Sequence, residues 1–226
     1  MPSRVVTGPS VEPLTLAEAK THLRVAITDD DALITSLIVA ARMDAEFITR
    51  RAFISQQWKT VADRFPSPMA GKLMEMWQGQ SNSLAGLGGV SQLFQTDKTG
   101  RGIVLPVSSL IQVDSIKYID TAGVQQTLSP ALYLVDSHSE PPRILPAYGT
   151  QWPSTRQQPN AVEVLFTAGY GTTAASVPDG IKAWMKLRIG ALYEHREEAL
   201  LVERGQLVDL PFVGSLLTPY RVSAFV

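Results

Sequence analysis

Thr28-Asp29-Asp30-Asp31-Ala32-Leu33-Ile34-Thr35-Ser36-Leu37-Ile38-Val39-Ala40-Ala41-Arg42-Met43-Asp44-Ala45-Glu46-Phe47-Ile48-Thr49-Arg50-Arg51 reads as one long amphipathic helix. Leu33, Leu37, Ala41, Ala45 and Ile48 recur every three or four residues, and Ile34, Ile38 and Phe47 widen the stripe. That is the period of a helix with one buried face. Thr28 to Asp31 has the form of a capping box whose carboxylates suit the positive end of a helix, and Arg50-Arg51 suit the other end. The spacing predicts a helix over 29–51.

On its N-terminal side, Thr15-Leu16-Ala17-Glu18 is another capping box, opening a short helix with Leu16, Ala19 and Leu23 on one face. Pro2, Pro9 and Pro13 mark residues 1–14 as an extended arm. On its C-terminal side the period changes to two. Gln57 to Ala62 has strand character. Ile111 to Ile119, the turn Asp120-Thr121-Ala122-Gly123 and Val124 to Leu128 make a hairpin signal. Leu132 to Val135 and Ala161 to Thr167 are further short strands, with a long Pro-, Gln- and Ser-rich connection over 141–159 that carries Trp152.

Helix returns at Val177-Pro178-Asp179, with proline in the first turn. Ile181, Trp184, Met185, Ile189, Leu192 and Tyr193 form its apolar face, and Gly190 within it suggests close packing against a neighbour. Residues 66–102 hold seven of the sixteen glycines and read as an insertion between two strands. The tail from Gly205 to Val226 is rich in turn residues yet apolar. The expected class is α+β: a helical bundle from both ends of the chain, with a small antiparallel β-element inserted and extended terminal arms. In boundaries, this gives an arm over 1–14, a connector domain over 15–204 and an arm over 205–226. The domain comprises helices 15–52 and 177–200 and a β-element 56–170, with the insertion 66–102. Trp58, Trp184, Leu33 and Leu37 are assigned to the core rather than to a site.

The 226 residues are 45% hydrophobic and 18% charged, enough to build a core. Twenty Lys+Arg against 21 Asp+Glu give a formal charge of −1, which argues against a protein that coats nucleic-acid phosphates. With no cysteine there is no disulfide frame, thiolate metal site or cysteine nucleophile. No stretch reaches the ~18 consecutive apolar residues of a spanning helix, and the first residues lack a signal peptide's apolar core. The expectation is a soluble, non-secreted protein with no membrane partner.

Motifs for chemistry are weak. His22, His138 and His195 lie in three different segments, and no two have metal-ligand spacing. Glu194, His195 and Glu198 read as a solvated helix face. Asp29-Asp30-Asp31 lacks the glycine and alternating ligands of a calcium loop. Gly86-Leu87-Gly88-Gly89 lacks the third glycine of a dinucleotide fingerprint, and Gly79-Gln80-Ser81-Asn82-Ser83 fails the nucleophile elbow at its last position. The expectation is no enzyme, no catalytic residue, no metal and no cofactor.

A dispersed pattern does match something. It runs through Leu14-Thr15-Leu16-Ala17-Glu18-Ala19-Lys20-Thr21-His22-Leu23-Arg24-Val25, Asp29-Asp30-Asp31-Ala32-Leu33-Ile34, Val113 to Asp120, and Leu132 to Asp136. It continues through Trp152-Pro153, Asn160-Ala161-Val162, Thr167-Ala168-Gly169-Tyr170-Gly171 and Val177-Pro178. Over roughly 12–65 and 103–200 this order resembles the head–tail connector (adaptor) proteins of long-tailed bacteriophages, which also occur in phage-derived gene transfer particles. The resemblance implies a non-catalytic virion protein of the neck, assembled in the host cytoplasm. Such a protein forms a homo-oligomeric ring, typically a dodecamer, beneath the portal protein. The ring prolongs the channel for double-stranded DNA without sequence-specific binding, and it meets a stopper or tail-completion protein.

The resemblance also implies a portal-docking C-terminal arm, here Leu216, Leu217, Pro219, Tyr220, Arg221 and Phe225. An inter-subunit or tail-side contact is expected from the insertion, through Trp77, Leu87 and Phe94. Physically, a ring needs a different patch on each flank, and apolar extremities can order against a neighbour. The competing readings are another virion ring protein (stopper or tail-completion), a small hydrolase acting through a carboxylate pair, and a DNA-binding module.

Overall fold

The computed structural model describes residues 3–67, 100–194 and 214–222. The chain is mixed α+β and divides into two compact units, each drawn from two separated stretches. One comprises residues 1–8 and 56–168, the other residues 9–55 and 169–226. The sequence reading had one domain over 15–204 between two arms. Ser3–Thr7, expected as an arm, is a paired strand.

The β-unit contains a five-stranded antiparallel sheet and a three-stranded one. Strands β1 (Ser3–Thr7), β2 (Gln56–Ala62), β8 (Val162–Ala168), β4 (Leu110–Ile119) and β5 (Gln125–Thr127) lie in that spatial order in the first. In β8, burial alternates strictly. Val162, Val164, Phe166 and Ala168 point inward while Glu163, Leu165 and Thr167 line the outer face, the period-two signature of a half-buried strand. Asp120 closes the β4–β5 hairpin by accepting from the backbone N–H groups of Ala122 and Val124 and from the Gln126 amide. Those bonds hold its carboxyl below the usual range, with Gln126 the largest cause.

The second sheet is β3 (Ile103–Val104), β7 (Arg143–Pro146) and β6 (Tyr133–Asp136), in that order. Strand β7 lies inside the stretch read as a loop. Four residues among Pro141, Pro142 and Pro146 give too little alternation to show a strand, and Pro146 is tolerated at its end, opposite Tyr133. The remaining connection is held by aromatic packing: Trp152 stacks on Phe65 at 4.9 Å, and its indole N–H donates to the Arg101 carbonyl at 2.7 Å.

The helical unit contains α1 (Leu16–Leu23), α2 (Asp31–Thr49) and α3 (Asp179–Glu194). The Thr15 capping box is present in both its bonds. The second box is not. Helix α2 begins at Asp31, its N-cap is Asp30 and no side chain caps it. The Asp30 carboxylate instead accepts from the Tyr193 hydroxyl, and Asp31 pairs with Lys20. The helix ends at Thr49, where Arg50 adopts a left-handed conformation (φ 56°), so 29–51 shortens to 31–49.

The buried stripe of α2 is also rotated from the expected one. Ile34, Ile38, Ala41 and Ala45 are buried, Leu33 and Leu37 only partly so, while Phe47 is 86% exposed and Ile48 is exposed. Two apolar stripes share Ala41 and Ala45 on this helix, and the core takes the one that adds Ile34 and Ile38 rather than Leu33, Leu37 and Ile48. Ile181, Trp184, Met185 and Ile189 of α3 complete that core with Phe53 and Ile54. Gly190 is not under packing pressure, since an added Cβ would lie 3.8 Å from the His22 ring, an ordinary contact. Trp58 is half-buried in β2 rather than fully in the core.

The Gly169-Tyr170-Gly171 run marks a close backbone approach. A Cβ on Gly169 (φ 151°) would fall 2.5 Å from the Ser55 nitrogen. Ser55 donates to the Gly171 carbonyl, Tyr170 donates to the Phe53 carbonyl, and the two rings stack at 6.4 Å.

Candidate interaction surfaces

The tail residues 214–222 pack on their own helical unit. Helix α2 ends with carbonyls that lack an intrahelical partner, and the Val222 N–H caps the one at Thr49. Arg51, itself buried, donates to the Tyr220 carbonyl. Leu217 is 1% exposed and part of the core, with Leu216 and Tyr220 packed against it. Gly180 on α3 makes room for the Tyr220 ring, since a Cβ there would approach its hydroxyl to 3.0 Å. The residues of the expected docking arm therefore differ in exposure. Leu217 cannot meet a partner without leaving the core, Pro219 and Arg221 stand exposed, and Phe225 lies outside the described residues. Trp77, Leu87, Phe94, His195 and Glu198 lie outside them too.

A polar network around buried Arg42 ties Glu12 to the C-terminal part of α2. Arg42 donates through Nε to Glu12 (2.7 Å) and through Nη1 to Glu46 (2.8 Å). Glu46 also accepts from the Phe53 N–H at 2.9 Å. Burial pulls the guanidinium pKa down, but the two carboxylates outweigh it and the net direction is upward. Sequence reasoning missed this cluster. Its only signal was a cation inside an apolar stripe, at the position four after Ile38.

The outer face of α2 carries Ala32, Ser36, Ala40, Met43 and Phe47, all exposed and none charged. On the β-unit, Leu134 and Val135 are exposed on β6, an edge strand, and Tyr148 is 99% exposed on the turn after β7. The outer face of the large sheet is polar and internally paired. Asp114 accepts from Gln57, Gln112 and Thr167, and Lys59 pairs with Glu163 at 2.8 Å.

His22 lies in an open groove between α1 and α3 with Ala17, Glu18, Thr21 and Lys186. Glu18 is held below the usual carboxylate range, first by the Thr15 N–H and hydroxyl of the capping box. That is a structural role. Among the described residues no group of three or more His, Asp or Glu could hold a metal ion, and no helix is long and apolar enough to cross a membrane.

Comparison with known proteins adds to this geometry. Residues 13–69 match the family model described as phage gp6-like head-tail connector protein. No curated protein matches the chain in sequence. Among solved structures, a chain from the neck of an empty gene transfer agent (GTA) particle, computed with C6 symmetry, is 22% identical with a TM-score of 0.72. A chain from the virion of a native GTA particle is 21% identical, also at 0.72, and one from the neck of a native GTA particle, computed with C12 symmetry, is 22% identical at 0.68. Each likeness covers 100% of this chain and 98% of the other. Residues 13–69, which hold α1, α2 and β2, thus carry the sequence pattern of head-tail connector proteins, and the whole chain has the fold of gene transfer agent neck chains.

Proposed function

We propose that this chain is a structural protein of a virion neck, a head-to-tail adaptor. Copies of it form a ring, a dodecamer, beneath the portal and join the DNA-filled head to the stopper or tail. The observation that carries this reading is end-to-end likeness to neck chains, together with the connector pattern at residues 13–69. The charge balance supports it physically. A conduit must let duplex DNA slide, and a strongly basic wall would hold it through counterion release. Portal docking falls to the exposed residues of the tail, Pro219 and Arg221, with half-buried Tyr220 between them and Phe225 further along the sequence.

Negative-stain imaging of the purified chain mixed with its portal tests the reading. A ring of this chain stacked on the portal's outward end is the expected result. A chain that ignores the portal, or binds it as a single copy, overturns the reading.

A further inference from the structure

We infer that the uncharged outer face of α2, centred on Phe47, is buried against a second copy of this chain. The inference rests on the ring reading above and names one of its subunit contacts. Helix α2 is about 28 Å long at 1.5 Å per residue. Its exposed positions Ala32, Ser36, Ala40, Met43 and Phe47 follow one another at spacings of four or three along a single face. Phe47 is 86% exposed and Met43 59%. A helix face that stays in water ordinarily carries charge, and this one carries none.

The face also has a defined border. Asp44 accepts from Arg188 of α3 at 2.9 Å through Nη2 and at 3.1 Å through Nε. Ala40 and Phe47 lie one turn either side of Asp44, and exposed Leu187 adjoins Arg188. A large aromatic, a methionine and a leucine around one paired, half-exposed charge couple have the make-up of a protein interface centre. The small residues Ala32, Ser36 and Ala40 let another helix approach closely.

The chemistry selects the occupant. Among the described residues the exposed face itself, Ala32 to Phe47, carries no cation, and Arg188 at its border is already paired with Asp44, so the face lacks the array of cations a phosphate backbone needs. A contact along the length of a helix suits a laterally adjacent copy, repeated around a ring. The likeness to neck chains computed with C6 and C12 symmetry supports side-by-side copies.

The test places a benzophenone photo-crosslinking amino acid at position 47 of the full chain, in rings assembled on the portal and verified by imaging. Crosslinked products at multiples of this chain's own mass are expected. In parallel, Phe47→Glu is expected to lower ring occupancy on the portal at least tenfold while the unfolding midpoint of the free subunit stays unchanged, because the position is exposed. Intact rings that crosslink at position 47 to the portal, to another protein or to nothing overturn the inference and leave the ring reading standing. So do rings formed equally well by Phe47→Glu. If the unaltered chain forms no ring, the ring reading falls and this inference with it.

Discussion

The Arg51 side chain donates through Nε to the main-chain carbonyl of Tyr220 at 2.6 Å, joining residues 169 positions apart. The donor is charged and buried, so the bond is of the stronger kind, worth about 1.5–3 kcal/mol. Arg51→Ala is expected to lower stability by about that amount in a denaturant titration and to raise the rate of proteolytic cleavage near residues 214–222. An unchanged cleavage rate would show that the tail is held without this bond.

Leu217 and Arg221 separate core from contact surface within one short segment. Leu217→Ala is expected to cost about 2–5 kcal/mol, since it empties a fully buried site. Arg221→Ala should stay within about 0.5 kcal/mol in stability, as befits an exposed residue, and weaken portal binding. If Arg221→Ala binds the portal normally, this side chain is removed from the docking surface.

Two tryptophans make a paired comparison. The Trp152 indole N–H is bonded to Arg101, whereas the buried Trp58 Nε1 has no hydrogen-bond partner among the described residues. Substitution by phenylalanine deletes a bond in one case and an unmet donor in the other. Trp152→Phe should therefore cost more than Trp58→Phe, by about 1 kcal/mol. Equal losses in thermal unfolding would contradict the assignment.

Asp136 gives the pH dependence a sign. Its carboxylate accepts from the Ser139 hydroxyl (2.6 Å) and from Arg143 Nε (2.9 Å), and these bonds, Ser139 first, hold its pKa far below the usual aspartate range. A folded-state pKa below the unfolded value means the stabilisation is whole above about pH 3.9. It is lost as pH falls from there through the folded pKa. The unfolding midpoint should drop on acidification below about pH 4, and Asp136→Asn should show a shallower drop. Parallel profiles for the two proteins would show that this carboxylate is not responsible.

Gly169 is a position where a side chain is costly. An alanine Cβ would meet the backbone of Ile54 and Ser55 within 2.7 Å, and backbone cannot swing aside as a side-chain tip can. Gly169→Ala is expected to destabilise by more than about 1 kcal/mol. A stability equal to that of the parent chain would rule out the close approach.

Elements with a long, clean period were legible in the sequence. The α2 helix, the β4–β5 hairpin and β8 each repeat their pattern over enough residues to define a face. What was misread follows from short length or competition. Strand β7 is four residues among prolines, and Asp30 was drawn from capping by the distant Tyr193 hydroxyl. On α2 the sequence offered two apolar stripes, and only the positions of α1 and α3 choose between them. The exposed Phe47 was hidden for the same reason, because periodicity reports how apolar a face is and not whether a neighbour covers it. The tail was legible as apolar, but its Leu217 anchor depends on Arg51 and Thr49, which no local pattern connects to it.

The division of each unit between two distant stretches of chain sets an order on biosynthesis. The β-unit has all its strands once Ala168 has left the ribosome. The helical unit, begun more than a hundred residues earlier, must wait for α3 and for Leu217. Throughout that interval the Ile34, Ile38 and Ala45 side of α2 is without its cover, so a nascent chain halted before residue 179 is the form in which holdase chaperones should bind this protein best.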